Sequence, residues 1–130
     1  MQPPYVFYIL AKGENAGKPA LRPWANCFMA ACSNKEAMEF YFWLVYGLHS
    51  AGRFKAYHRG SAIQFLNISD VHAVVKEVAP SILPHWQNYR QIVESLSKLE
   101  QKKAILAQHI ISTEKLQKQL IGAYFLKKAS

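Results

Sequence analysis

Residues 84–127 read PHWQNYRQIVESLSKLEQKKAILAQHIISTEKLQKQLIGAYFLK, with no glycine or proline between Pro84 and Gly122. As one α-helix this stretch would be roughly 65 Å long at 1.5 Å per residue, more than an α+β body of about 80 residues can cover. Part of it must project or find another partner. A heptad register points the same way: Tyr89, Leu96, Ile110 and Tyr124 share one seam position, and Ile92, Leu99, Leu106 and Leu120 share the other. Lys103, Thr113 and Gln117 interrupt the seam. An antiparallel pair, or mixed packing against several helices, tolerates such interruptions better than a parallel zipper does. The eight seam residues form the expected dimer or partner interface, and a homodimer is the expected assembly. A single long helix packed on its own domain stays open as the alternative.

Working back from that helix, Pro80 and Pro84 separate it from a smaller block. Tyr5 to Leu10 is a β-branched and aromatic run and predicts a strand. Gly13 to Pro23 holds two glycines and two prolines and predicts a loop. Asn26 to Cys32 predicts a second strand. Ser33-Asn34-Lys35-Glu36 has the spacing of a capping box, and a helix follows from about Asn34 to His49. Its Met38, Tyr41, Phe42, Val45 and Leu48 share a face while Phe40, Trp43, Leu44 and Tyr46 cover much of the rest, so most of its sides should be buried. Ala62–Leu66 then predicts a strand, Ser69-Asp70 the cap of a short helix, and Val74–Val78 another strand. The expected fold class is α+β: a small mixed strand and helix body over 1–80, then one long coiled-coil-like helix over 81–130.

Of the 130 residues, 51% are hydrophobic, 13% aromatic and 18% charged, which suits one globular domain and is too little chain for a barrel enzyme. Sixteen Lys and Arg against eight Asp and Glu leave a charge of +8, so polyanions are natural partners. Residues 81–130 hold +5 of that excess, from eight basic and three acidic side chains. Cys27 and Cys32 form neither a CxxC pair nor part of a Cys/His ligand set, and read as reduced packed thiols in a cytoplasmic protein. The N-terminus lacks the basic region and apolar run of a secretory signal. The most apolar stretch, Phe40–Leu48, is about half the length a bilayer crossing needs, so no membrane partner is expected.

Gly13-Glu-Asn-Ala-Gly17-Lys18-Pro19 has the glycines and lysine of a phosphate loop. It fails in detail, because three residues rather than four separate the glycines and Pro19 brings no hydroxyl for magnesium. His49, His58, His72, His85 and His109 show no metal-ligand spacing, so no metal and no cofactor are expected. Few carboxylates and no glycine-bounded nucleophile turn favour a non-enzyme. The segment Arg53 to Gln64 is the candidate for contact chemistry. Arg53, Lys55, His58 and Arg59 suit phosphates, Phe54 and Tyr57 can pack or stack, and Ser61 and Gln64 suit base edges. A turn buried by the two aromatics, with its charges merely solvated, fits the same residues and stays open.

Gly60-Ser-Ala-Ile-Gln-Phe-Leu-Asn-Ile-Ser-Asp-Val71, followed by an expected strand and prolines, resembles the end of a target-recognition domain in type I restriction-modification specificity subunits. Ile92-Val-Glu-Ser-Leu96-Ser-Lys-Leu99 and Glu114-Lys-Leu-Gln-Lys-Gln-Leu120 with Tyr124-Phe125 are similar to the spacer helix behind that domain. The resemblance covers roughly residues 36–126. It implies a module that reads a DNA half-site and pairs its helix antiparallel with a second copy. Lys12–Pro19 with Asn26-Cys27-Phe28 also resembles a small uncharacterised family of gut Bacteroidetes and their mobile elements, which implies no activity. Together these make a non-catalytic, dimeric, DNA-associated module the leading expectation. The alternative is a protein-directed module of a mobile element that docks on a restriction-modification subunit or another host complex.

Overall fold

A computed structural model describes residues 4–129, and over them the chain is α+β. Strand β1 (Val6–Leu10) is the centre of a three-stranded antiparallel sheet of order β2-β1-β3, flanked by β2 (Pro19–Ala20) and β3 (Cys27–Ala31). The expected loop over Gly13–Pro23 therefore contains a short edge strand. Phe7 pairs with Ala30 and Ile9 with Phe28, which puts these four side chains on one face. Phe7 and Ile9 are buried in the core.

Helix α1 (Lys35–Ser50) lays Phe40, Leu44 and Leu48, one turn apart, together with Val45, into the same core. Its cap is Asn34 rather than Ser33: the Asn34 Oδ1 accepts from the Ala37 N–H at 2.8 Å. Phe42 meets Phe7 edge to face with centroids 5.7 Å apart. Tyr41 stays exposed, so the helix is less enclosed than its composition implies.

Two strand expectations are corrected. Val74–Val78 lies inside helix α2 (Ile68–Ile82), which begins at the Asn67 cap and receives no side-chain cap from Ser69 or Asp70. Val71, Val74, Val75, Val78 and Ile82 recur at three- and four-residue steps, so the β-branched run is one face of a helix and packs into the core. Pro80 falls within the last turn of α2 instead of ending the block. Ala62–Leu66 forms no strand; only Phe65 makes isolated bridges, to Lys12 and Arg59.

A 3₁₀ turn at Leu83–His85 leads into α3 (Trp86–Ala129). The chain divides into two compact units, Met1–Val93 and Glu94–Ser130, so the first two turns of α3 belong to the first unit. There Trp86 meets Phe40 with centroids 5.1 Å apart. The Tyr89 hydroxyl donates toward the Trp43 and Leu44 carbonyls at 2.9 and 3.1 Å, and Arg90 pairs with Glu39 at 3.1 Å. Val93 is buried. The second unit is the remainder of α3, along which nearly every described side chain is exposed. No helix among the described residues is long and apolar enough to cross a membrane.

Candidate nucleic-acid interface

The segment Arg53–Gln64 is joined to the loop Lys12–Lys18, a connection the sequence does not show. Phe54 is 1% exposed, and its ring lies against the backbone of Gly17. Gly17 has φ +103°, and a Cβ there would come within 2.6 Å of Phe54 Cδ2, so both conformation and space require glycine. The Phe54 ring is thus a buried anchor and unavailable for stacking. After the 3₁₀ turn at Lys55–Tyr57, His58 returns to the same loop and its Nε2–H donates to the Ala16 carbonyl at 2.9 Å.

His58 Nδ1 lies 3.2 Å from the Gln64 side-chain amide. The Gln64 atom facing it is Oε1, which accepts from an Nδ1–H when both ring nitrogens are protonated, whereas a neutral ring with Nε2–H donating requires the Gln64 amide turned over so that its NH₂ donates to Nδ1. Either way the Gln64 side chain already has a partner in its own loop. Its backbone carbonyl also accepts from the Gly13 N–H at 2.7 Å. The expected base-edge reader is therefore tied down.

Arg59 and Phe65 exchange both backbone hydrogen bonds, at 2.9 and 2.8 Å, closing a loop that turns at Gly60 (φ +94°) and exposes Ser61 and Ile63. Arg59 also reaches Asp70 at 3.4 Å in a largely exposed ion pair. Arg53 and Lys55 are exposed, as are Lys12 and Lys18 on the joined loop, and Tyr57 is partly open. The structure thus gathers Lys12, Lys18, Arg53, Lys55 and Arg59 onto two tied loops, with Glu14 on the first loop and Asp70 paired to Arg59. Sequence reasoning misses Lys18, because it belongs to a motif that fails as a phosphate loop, and Lys12, which stands just before that motif. That loop also spends its amides internally: Ala16 N–H goes to Gly13, Gly17 N–H to Leu10 and Lys18 N–H to Asn15.

Of the expected interface residues, Tyr89 is half-buried and committed to α1, and Leu96 is half-buried. Ile92, Leu99, Leu106, Ile110, Leu120 and Tyr124 are all exposed, Leu106 by 52% and Leu120 by 70%. Leu116 and Ile121 lie beside the seam and are also exposed, as are Ile105, Ile111 and Leu126 on other faces.

Elsewhere, an apolar cleft of about 270 Å³ opens between β3 and α2, floored by Phe7, Ile9, Val45 and Val71, with Cys32 and His72 in its lining. Burial pushes the Cys32 thiol above its ordinary range, which keeps it protonated. Both cysteines are free thiols. Among the described residues no three His, Cys, Asp or Glu side chains are placed to share a metal ion.

Residues 1–123 match the family described as "Family of unknown function (DUF6943)", and the chain belongs to that family. No curated protein and no solved structure matches the chain.

Proposed function

We propose that this member of the DUF6943 family is a non-catalytic cytoplasmic module that associates with DNA through the joined loops and with a second copy of itself through the α3 seam. The observation that carries the reading is the gathering of five cationic side chains on two loops that backbone hydrogen bonds tie together. Loops whose backbone is already braced need little further ordering when their exposed cations meet phosphates, and each such meeting releases counterions. The seam supports the dimer: Leu99, Leu106, Ile110, Leu120 and Tyr124 recur at heptad spacing and are exposed. The resemblance to restriction specificity subunits read from the sequence implies the same pairing of a DNA-contacting body with a dimerising helix, although the strand expected after Val71 is part of helix α2.

The test is a fluorescence titration with a tailed duplex, which offers both paired and unpaired DNA, at several salt concentrations. Replacing Lys12, Arg53 and Lys55 by Ala should flatten the slope of log affinity against log salt by about 0.7 to 0.9 for each phosphate no longer neutralised. No binding by the native chain at low salt would remove DNA from the proposal. Sedimentation at micromolar concentration tests the seam separately, and a monomer would remove the dimer.

The second reading is a protein-directed module that docks on a restriction-modification or other host complex through α3. It is favoured by Ile105, Ile111 and Leu126, because one two-stranded seam would leave these apolar side chains uncovered.

A further inference from the structure

Phe65 stands in a row with a cation on each side. Lys12 faces it as an antiparallel pair closed by two flanking bonds, Gly13 N–H to Gln64 O at 2.7 Å and Leu66 N–H to Ala11 O at 2.9 Å. Arg59 faces it from the other side as the pair that exchanges both of its hydrogen bonds. Directly opposed residues of antiparallel pairs send their side chains to one face with Cβ atoms about 4.5 to 5.5 Å apart. The order across that face is Lys12, Phe65, Arg59. Phe65 is 37% exposed, and Arg59 is held by Asp70 without being covered.

This row suits unpaired bases better than paired ones. In a duplex the base faces are stacked on one another, so an exposed ring has nothing to stack against. Duplex sequence is read by a helix or ribbon that brings free hydrogen-bonding side chains into the major groove. Here the row stands on loops, and the Gln64 amide is already engaged with His58. A single strand offers what the row can use: an open base face for the ring and a phosphate to either side for the cations.

We infer that the Lys12–Phe65–Arg59 row binds single-stranded nucleic acid, with a base stacked on Phe65 and flanking phosphates on Lys12 and Arg59. The inference rests on the proposed DNA association of the same loops and specifies the form of the strand. Stacking and phosphate pairing are common to single-stranded DNA and RNA, so the test carries both sugars.

The experiment measures anisotropy of labelled strands with the full chain at one low salt concentration. The strands are oligo-dT, oligo-rU, an abasic strand of equal length, and a hairpin duplex. Either base-bearing strand should bind roughly tenfold more tightly than the abasic strand and the hairpin, the scale expected for one stacked base. Phe65→Leu, which keeps apolar bulk without a ring, should lose about that tenfold on oligo-dT and nothing on the abasic strand. Phe65→Trp should retain it. A preference for oligo-dT or oligo-rU identifies the sugar. Hairpin binding as tight as that of both base-bearing strands, or abasic binding equal to theirs, overturns the single-strand inference and leaves DNA association standing. The comparison of strands needs no variant, so a folding defect in Phe65→Leu cannot shield the idea. Failure of every strand to bind overturns both readings.

Discussion

Helix α3 carries apolar residues through two different surroundings. Up to Val93 its inward residues meet α1: Tyr89 bonds to carbonyls there, and Val93 packs beside Gly47. That covered face, Trp86, Tyr89 and Val93, is turned away from most of the seam, since Ile92 is 67% exposed, and from Glu94 onward the seam residues Leu99, Leu106, Ile110 and Leu120 are exposed as well. An apolar pattern therefore states that a face needs cover without stating whose. In the first unit the cover comes from the same chain, and in the second the proposed cover is another copy.

The largest contrast comes from charging both stretches. Val93→Asp places a carboxylate in apolar packing and should cost upward of about 3 kcal/mol. Urea unfolding followed by near-ultraviolet dichroism, which reports the aromatic packing around Trp43 and Trp86, measures it. Leu106→Lys should leave that transition in place at submicromolar protein while weakening self-association about tenfold or more by sedimentation, the scale of losing one buried seam leucine. Equal loss of stability in both variants would break the distinction between the two stretches.

Glycines sharpen it. A Cβ on Gly47 would run into the Tyr89 hydroxyl and lie 3.1 Å from Val93 Cγ1, whereas one on Gly122 meets nothing within 4 Å. Gly47→Ala should destabilise by about 2 kcal/mol through overpacking. Gly122→Ala should stabilise the helix by up to about 1 kcal/mol. Opposite shifts of thermal midpoint are expected, and shifts of the same sign would contradict the packing described.

Tyr89 adds a pH dependence. Burial pushes its hydroxyl from the usual 10 up to about 12, partly offset by a backbone hydrogen bond at Gly47. The folded state thus holds this proton more tightly than the unfolded chain does. The resulting stability is complete below pH 10 and is lost as pH rises from 10 toward 12. Tyr89→Phe should cost about 1 kcal/mol at neutral pH, and it should lack this part of the alkaline loss when denaturation is compared on the two sides of pH 10.

The smallest effect repeats the contrast on one loop, where Arg59 has an acidic partner and Arg53 and Lys55 have none among the described residues. An exposed pair such as Arg59–Asp70 is worth less than about 1 kcal/mol. Asp70→Asn should leave the unfolding midpoint nearly unchanged and raise DNA affinity about twofold to threefold at low salt, because a competitor of phosphate is gone. Weaker binding in that variant would mean that Asp70 positions Arg59 rather than restraining it.

Some of this molecule was legible from residue pattern alone. Tyr5–Leu10 and Phe28-Met29 announced strands, because an aromatic and β-branched run bounded by glycine or polar residues has few other uses. The α1 helix was legible, but its cap moved by one residue, since Ser33 and Asn34 both carry acceptors. Val74–Val78 misled because β-branched residues favour strands locally, while their wider spacing from Val71 to Ile82 is helical. Arg53, Lys55 and Arg59 stood out by charge. Lys12 and Lys18 did not, because their relation to that segment runs through Gly17 against Phe54 and through backbone bonds between residues some fifty positions apart.

The sequence by itself determined the α+β class and the long C-terminal helix, because hydrophobic period and chain breakers act locally and need no partner to be read. The tertiary structure alone decided which α3 residues α1 covers, that Phe54 is an anchor, that the Gln64 side chain is engaged, and that Phe65 lies between Lys12 and Arg59. Each of these depends on which distant backbone segment comes to lie opposite. That choice is made by burial of the shared core of Phe7, Leu44, Phe54 and Val74, a collective property that no local window contains.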